Sequence, residues 1–187
     1  MRLSDPRGTV SDMAPELFLE PWTADDLDLE LRSNTPELKA YLGGLETRDQ
    51  LVARHERFLA LPVDGRGQMF RIALPDAPGV GSVGYWEREW RGEQVYEMGW
   101  LVLTEFQGRG IAAAAVRLTA EHAAAHGRLR YAHAYPKTAN VASNNVCRRA
   151  GFTLLGEIES ERPVGAYTRE NDWRLDLRAV LAPAASG

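Results

Sequence analysis

The sequence predicts an α+β fold: a single domain with a mixed, mostly antiparallel sheet, a splayed central parallel strand pair and flanking helices. Short connections join the β-rich segments 68–74, 81–90 and 94–103, and such connections join antiparallel strands. An alanine-rich helix and a further strand follow them. A strand, a helix and a strand in this order imply a right-handed crossover and a parallel pair.

The N-terminal elements are predicted from strand character and from helix caps. Residues 17–22, "LFLEPW", have the composition of a first strand. Helices are expected after Thr23, after Thr35 and after Thr47, and a proline follows Thr35 at the first helical position. Thr47 and Gln50 have the spacing of a capping box.

The C-terminal half continues the alternation of helices and strands. The alanine-rich helix should end near Gly127, and a short helix from Ser143 to Ala150 should stop at Gly151. The remaining strands are predicted at "LRYAHAY" (129–135), "FTLLGEIE" (152–159) and "DWRLDLRAV" (172–180).

Composition limits the class of protein. The 187 residues are 44% hydrophobic and 26% charged with a net charge of −4, so we expect no nucleic-acid partner and no membrane partner. The single Cys147 excludes an intramolecular disulfide and fits a reducing compartment, and we expect a cytoplasmic protein. The predicted organisation is a flexible arm at 1–14, one domain at 15–180 and a disordered tail at 181–187.

A glycine pattern between residues 79 and 84 matches the G-x-G-x-x-G fingerprint of dinucleotide-binding proteins. That fingerprint requires a strand before it and a helix that starts within the glycines. Here a proline-bearing turn precedes the pattern and a strand-like segment follows it. We therefore interpret these glycines as parts of a turn and a strand.

Histidine and cysteine residues give no metal or thiol site. His122 and His126 lie four residues apart on the alanine-rich helix, but no third ligand is near and we expect both to face solvent. His133 fits a hydrogen-bonded core residue, and Cys147 fits a buried, inert thiol. Arg148 and Arg149 suit the end of their helix. We expect no metal.

The stretch 106–118, "FQGRGIAAAAVRL", places two glycines around an arginine at the start of a strong helix. Amides at a helix start have no intrahelical partners, and the helix dipole places positive potential there. Glycine at 108 and 110 would let a phosphate approach those amides, and Arg109 adds a cation. The alternative is a tight turn that only requires flexible residues.

Two segments together resemble the GNAT superfamily of acetyl-CoA-dependent N-acetyltransferases. Residues 107–112 fit its Gln/Arg-x-x-Gly-x-Gly/Ala motif, and "NVASNNVCRRAGF" at 140–152 resembles its Asn-x-x-Ser/Ala…Gly-Phe segment. The resemblance covers about residues 15–178 in element order. It is greatest to the branch that includes ribosomal-protein-alanine acetyltransferases.

The resemblance implies acetyl-CoA as cosubstrate, held in a gap between "GWLVL" and "YAHAY". Pantetheine would pair with backbone groups of Leu101, Val102 and Leu103, and Asn140 would anchor it. The pyrophosphate would lie on the residues of the first motif, which are Gln107, Gly108, Arg109, Gly110, Ile111 and Ala112.

The implied reaction is direct attack of a primary amine on the thioester, with the amine on a protein N-terminus or a small molecule. Ser143 would protonate the leaving thiolate or cap its helix, or both, because Cys147 stands where many members have tyrosine. Glu97 is the predicted base. Three other carboxylates stay open for that role: Glu87, Glu159 and Glu161.

The demand on a base depends on the acceptor. At pH 7.5, neutralising an α-amine of pKa about 7.8 costs roughly 0.4 kcal/mol, whereas a lysine amine near 10.4 costs about 4 kcal/mol.

Two other functions remain open: a CoA-binding regulatory or sensor domain without catalysis, and a structural or interaction domain. A homodimer is also implied by the resemblance.

Overall fold

The computed structural model describes residues 16–161, 165 and 167–181. The predicted arm and residues 182–187 of the predicted tail lie outside this described part. The described strands are β1 Phe18–Pro21, β2 Gly67–Leu74, β3 Ala77–Trp90, β4 Glu93–Val102, β5 Tyr131–Ala134, β6 Thr153–Glu161 and β7 Tyr167–Asp176. The described α-helices are α1 Leu27–Arg32, α2 Pro36–Lys39, α3 Arg48–Val63, α4 Ile111–His126, α5 Val141–Arg149 and α6 Leu177–Val180.

The strands form one mixed sheet in the order β1-β2-β3-β4-β5-β7-β6. The segments β2, β3 and β4 form the predicted antiparallel meander. The pair β4–β5 is parallel, and β5–β7 and β6–β7 are antiparallel. The predicted fold class is therefore confirmed, including the parallel pair in the middle of the sheet.

Side-chain caps fix the helices after Thr35 and Thr47, as predicted. Thr47 Oγ1 accepts from the Gln50 amide at 3.3 Å, and Gln50 Oε1 accepts from the Thr47 amide at 2.8 Å. Thr35 Oγ1 accepts from the Leu38 amide at 3.3 Å. These local hydrogen bonds satisfy amides that the first turn leaves without partners.

Two predicted boundaries are wrong. The helix expected at 143–150 begins at Val141, because the Asn140 side chain accepts from the Ser143 amide at 3.0 Å and caps the helix. The strand expected at 172–180 starts earlier, at Tyr167, and ends at Asp176. The Asp176 carboxylate then caps α6 by accepting from the Arg178 amide at 3.1 Å.

The glycine pattern at 79–84 lies inside β3, so its interpretation as turn and strand is confirmed. Gly79 has φ +73° beside the β2–β3 turn. A Cβ atom on Gly81 would collide with the Leu101 carbonyl, and one on Gly84 would collide with the Gln68 carbonyl. Close approach of neighbouring strands therefore requires these glycines.

Helices cover both faces of the sheet. The helix α4 contacts β1, β3 and β4 and buries the main core, while α3 contacts β2 on the other face. Alternate residues of β2 separate the two sides: Phe70 belongs to the main core and Met69 packs with Trp22 and Leu103 in a second cluster. The second face carries the larger cavity described below.

Candidate active site

The parallel pair at the centre of the sheet opens after two register positions. Tyr96 pairs with Ala132 and Glu97 pairs with His133. Beyond Glu97, β4 continues to Val102 without a further register partner in β5. The two strands therefore separate, and a gap lies between the segments where the sequence predicted one.

Hydrogen-bond alternation determines which backbone groups of β4 face this gap. The Leu103 amide donates to the Val80 carbonyl at 2.9 Å, so this pair belongs to the β3–β4 ladder. Because hydrogen-bonded and non-bonded pairs alternate, Leu101 also bonds toward β3. Trp100 and Val102 direct their backbone groups to the gap. The structure thus disagrees with Leu101 and Leu103 as backbone partners of pantetheine.

The helix α4 starts at the end of this gap. Gly108 and Gly110 have φ +74° and +77°, a region that L-residues rarely adopt, and Gly110 is the N-cap. A Cβ atom on Gly108 would meet nothing within 4 Å, so backbone conformation and not packing requires that glycine. The backbone conformation therefore requires glycine at both positions. The amides of the first turn of α4 have no intrahelical partner and can bind a ligand.

A groove of about 490 Å³ lies along this helix start. Eight of the ten residues that the sequence predicted for cofactor binding line it: Leu101, Val102, Gln107, Gly108, Gly110, Ile111, Ala112 and Asn140. The Gln107 side chain donates to the Val102 carbonyl at 2.9 Å and ties the loop to the strand.

The other two predicted cofactor residues do not line the groove. Leu103 is buried in the second cluster. Arg109 is exposed, with its guanidinium carbon 5.9 Å from the Phe106 ring centroid. Arg149, which the sequence connected only with the end of α5, lines the groove and adds a cation.

A second cavity, of about 670 Å³, adjoins the groove on the face that carries α1 and α3. The two share Tyr41, Leu42, Trp100, Leu101, Asn140 and Ser143. Ser143 and Asn140 thus lie where the groove and the cavity meet. Ligands in the two spaces can therefore approach each other beside Asn140 and Ser143.

Ser143 is the third residue of α5, not its cap. The prediction that Ser143 caps the helix is therefore wrong, because Asn140 does so. The Ser143 hydroxyl has no capping role to fulfil, and the residue lines both spaces. This position suits a group that acts on a ligand.

Most carboxylates around the larger cavity form ion pairs. Arg54 pairs with Glu30 and Glu46, and the buried Lys39 ammonium pairs with Glu46 at 2.9 Å. Although burial favours the protonated form, the hydrogen bonds from Lys39 and Arg54 lower the pKa of Glu46. These groups form a charged wall that holds α1, α3 and the loop between α2 and α3 together.

The four carboxylates considered as bases lie in different places. Glu97 lines the larger cavity and pairs with Arg88 at 2.7 Å. Glu87 pairs with Arg128 at 2.7 Å and does not line the cavity. Glu159 and Glu161 are exposed on the edge strand β6 and do not line it either. Only Glu97 among the four is within the cavity.

Two polar residues that the sequence did not single out occupy the cavity or its support. Glu170, on β7, lines the cavity with its side chain buried. Asn144 is buried; its amide donates to the Lys137 and Asn140 carbonyls, and its oxygen accepts from Asn171 and Trp173. The sequence shows both as ordinary polar residues, because their burial depends on β5 and β7 pairing.

The predictions for His133 and Cys147 are confirmed. His133 is buried and hydrogen-bonded to Asp172 at 2.7 Å. Burial raises the pKa of the Cys147 thiol to about 12, so this thiol is inert at neutral pH.

The prediction that both His122 and His126 face solvent is wrong for His122. His126 is exposed, but His122 is partly buried, and its Nδ1 lies 3.2 Å from the Tyr85 hydroxyl. Its ring also meets Phe70 edge-on at 4.9 Å between centroids. Burial, with a smaller effect from His126, lowers the pKa of His122 to about 4.

Comparison with known proteins identifies the class. The family model of the acetyltransferase (GNAT) domain matches residues 16–153. The chain therefore belongs to the GNAT family of acetyltransferases, as the two motifs predicted. A search of curated protein sequences found no match.

Solved acetyltransferase structures share this fold. One, from Salmonella typhimurium, modifies the N-terminal serine of ribosomal protein L7/L12. It is 22% identical with TM-score 0.72, over 86% of this chain and 94% of that chain. Spermidine N-acetyltransferase from Vibrio cholerae, solved with CoA and spermine, is 18% identical with TM-score 0.72, over 89% and 98%. The microcin C7 self-immunity acetyltransferase MccE, solved with acetyl-CoA and AMP, is 17% identical with TM-score 0.70, over 86% and 92%.

None of the helices in the described part of the chain is both long and apolar enough to cross a membrane.

Proposed function

We propose that this protein transfers the acetyl group of acetyl-CoA to a primary amine by direct attack. The observation that carries the proposal is the meeting of two spaces at Ser143 and Asn140. The groove at the start of α4 would hold the cofactor, and the larger cavity would hold the acceptor. Their junction would bring the thioester and the amine together, and such proximity supplies much of the rate.

For the cofactor, we propose that the free amides of Ile111 and Ala112 hold the pyrophosphate at the N-terminus of α4. The side chains of Gln107, Arg109 and Arg149 would add hydrogen bonds and positive charge. The backbone groups of Trp100 and the Val102 amide would pair with pantetheine in the gap, since Gln107 already donates to the Val102 carbonyl, and Asn140 would lie beside it. A backbone amide of β4 facing the gap could stabilise the oxyanion.

For the chemistry, we propose that Ser143 donates a proton to the leaving thiolate. Its place at the junction and its freedom from capping support this role. Glu97 lies in the acceptor cavity, but a proton on its carboxylate would break its ion pair with Arg88. We therefore propose that Glu97 attracts the acceptor ammonium by charge.

The acceptor class is proposed as a protein N-terminus or a small-molecule amine. One structural neighbour modifies an N-terminal serine and another is a spermidine acetyltransferase, so both classes occur on this fold. The family membership does not favour the alternative of a regulatory CoA-binding domain without catalysis.

An amine-panel assay tests the function. Purified protein is incubated with acetyl-CoA and either peptides with a free N-terminus, spermidine, amino acids or aminoglycosides, and free thiol is measured. Because the single cysteine, Cys147, is buried, it should contribute little background. We expect thiol release with at least one amine. The product should be heavier than that amine by about 42 Da, because an acetyl group replaces a hydrogen atom. Acetyl-CoA binding without turnover of any amine would contradict the proposal.

A further inference from the structure

Glu170 is a buried carboxylate in the acceptor cavity, and the described residues provide no hydrogen-bond partner for its Oε2 atom. The residue is 5% exposed. Its Oε2 atom is fully buried and makes no hydrogen bond to any described residue. Glu170 lines the same cavity as Ser143 and Glu97.

The other carboxylates around Glu170 are all engaged. Within the described residues, Glu30 and Glu46 pair with Arg54, and Glu97 pairs with Arg88. Asp172, two residues further along β7, accepts from Trp90 at 3.1 Å and bonds to His133 at 2.7 Å. Among the described residues, Glu170 is therefore the carboxylate of this cavity that forms no ion pair and has a buried oxygen without a hydrogen bond.

The backbone places Glu170 near the junction of the groove and the cavity. Glu170 forms an antiparallel bridge with Lys137, just beyond the end of β5, and the Asn171 amide donates to the Pro136 carbonyl at 2.9 Å. The chain then leads from Lys137 through Asn140 to Ser143, and all three line the cavity with Glu170.

Burying a charged carboxylate without a partner is costly, and a cation or a proton removes much of that cost. The acceptor of the proposed reaction brings both, because its amine arrives as an ammonium ion. We propose that Glu170 is the catalytic residue that receives the acceptor ammonium and takes its proton, an inference that rests on the proposed acetyl transfer.

The proton and bond balance is complete. The ammonium transfers one proton to the Glu170 carboxylate and becomes a neutral amine. The amine nitrogen forms a bond to the thioester carbon, and the C–S bond breaks. The thiolate takes a proton from the Ser143 hydroxyl, which regains one from the acylated nitrogen. The products are the N-acetylated amine and CoA thiol, and Glu170 returns its proton to water.

Lys137 is a cationic residue of the protein that could pair with Glu170 in place of the acceptor ammonium. It lies opposite Glu170 in the bridge and lines the same cavity, yet the two form no ion pair in the described structure. If Lys137 compensated Glu170 in solution, replacement of Lys137 by methionine would destabilise the protein. If the acceptor is the partner, Lys137→Met leaves the melting temperature unchanged.

The test uses the full chain and three variants: Glu170→Gln, Glu97→Gln, and Glu159→Gln as an exposed control outside the cavity. The acceptor is whichever of a hexapeptide with N-terminal serine and spermidine the wild type acetylates faster. Kinetic constants for that amine are measured at pH 7.0 and again near the pKa of the amine. Melting temperature and acetyl-CoA affinity are measured on the same samples.

We expect Glu170→Gln to lower kcat/KM by about a hundredfold at pH 7.0, within the range for loss of a general base. The difference in kcat/KM between the wild type and Glu170→Gln should become smaller as the pH approaches the pKa of the amine, because a neutral amine no longer needs Glu170 to remove its proton. The melting temperature should stay the same or rise, because an unpaired buried charge is removed. Glu159→Gln should match the wild type, and the loss in Glu97→Gln should not vary with pH in this way.

Wild-type activity in Glu170→Gln, or a loss that is independent of pH, overturns the role of Glu170 and leaves the acetyl transfer in place. A lowered melting temperature in Glu170→Gln or Lys137→Met also overturns it, because it shows that the protein itself uses the carboxylate. No turnover of either amine by the wild type overturns the proposed function for these acceptors together with this inference.

Discussion

Asn140 and Ser143 lie one helical turn apart at the start of α5, and only Asn140 caps the helix. Its side-chain oxygen accepts from the Ser143 amide, so the Ser143 backbone supports the cap while its hydroxyl does not. The sequence offered Ser143 both as the helix cap and as the acid for the leaving thiolate. In the structure Asn140 caps the helix, so Ser143 keeps only the proposed role as the acid. Substitution can separate the two roles.

Ser143→Ala should lower kcat by about a hundredfold, as expected for loss of a general acid, with an unchanged melting temperature. Asn140→Ala should instead destabilise the protein by about 1 kcal/mol, the usual cost of losing an N-cap side chain. Steady-state kinetics and thermal unfolding of both variants check this. An unaltered kcat in Ser143→Ala would exclude the role of Ser143 as the acid. A drop in melting temperature as large as that of Asn140→Ala would show that Ser143 stabilises the fold.

Individual site residues differ in how far the sequence could predict them. The groove residues follow from a contiguous motif, so most of them were predicted. Leu101 and Leu103 were predicted as backbone partners of pantetheine although their backbone groups bond toward β3, because a motif does not show which backbone groups the neighbouring strand uses. Glu170 was missed because a glutamate in "YTRENDW" resembles an exposed strand residue until β5 and β7 are paired.

At the scale of elements, local signals were sufficient for most starts and stops. Capping residues act within a few positions, so Thr35, Thr47 and Gly151 marked their helices correctly. The start of α5 was misplaced because asparagine and serine are both good caps. The burial of His122 could not be predicted, since it depends on how α4 rotates against β2 and β3.

The contact of α4 with the sheet predicts a pH dependence of stability. The pKa of His122 is about 4 in the folded protein and near 6.5 when unfolded. As the pH falls from about 6.5 to about 4, the unfolded chain binds a proton that the folded protein does not, so stability is lost over that window. The loss is on the order of 1–2 kcal/mol, reduced because the ring is partly in solvent.

His122→Gln should remove this component. Thermal unfolding between pH 7.5 and 4.5 should show a shallower decline than in the wild type, and His126→Gln, at an exposed ring, should retain most of the slope. An identical slope in His122→Gln and the wild type would show that the ring is protonated equally in both states. Its packing against Phe70 and Tyr85 would then not exclude the charged form.

At the scale of the whole molecule, the proposed function depends on the place where the two central parallel strands separate. The central parallel pair separates after Glu97, α4 begins at one side of the resulting gap and α5 at the other. The order of strands and the crossover were predictable because topology rules leave few alternatives. The shape of the two spaces was not, because side chains from α1, α2, α3 and the loop between α2 and α3 contribute to it.

The central claim is that the start of α4 binds the phosphates of acetyl-CoA, and Ala112 provides the test. Gly110 is unsuitable, because its φ of +77° would strain any substituted residue. Ala112 is the second residue of α4 and lines the groove. Ala112→Glu places a negative charge where phosphates would lie, while an acidic side chain in a first helical turn favours the fold.

The direct measurement is calorimetric titration of acetyl-CoA into the wild type, Ala112→Glu and the neutral control Ala112→Gln, with melting temperatures of all three. We expect the wild type to bind, Ala112→Gln to bind more weakly, and Ala112→Glu to lose at least about a hundredfold in affinity (roughly 2.7 kcal/mol) with the fold intact. A folded Ala112→Glu variant that binds acetyl-CoA as tightly as the wild type would contradict the account.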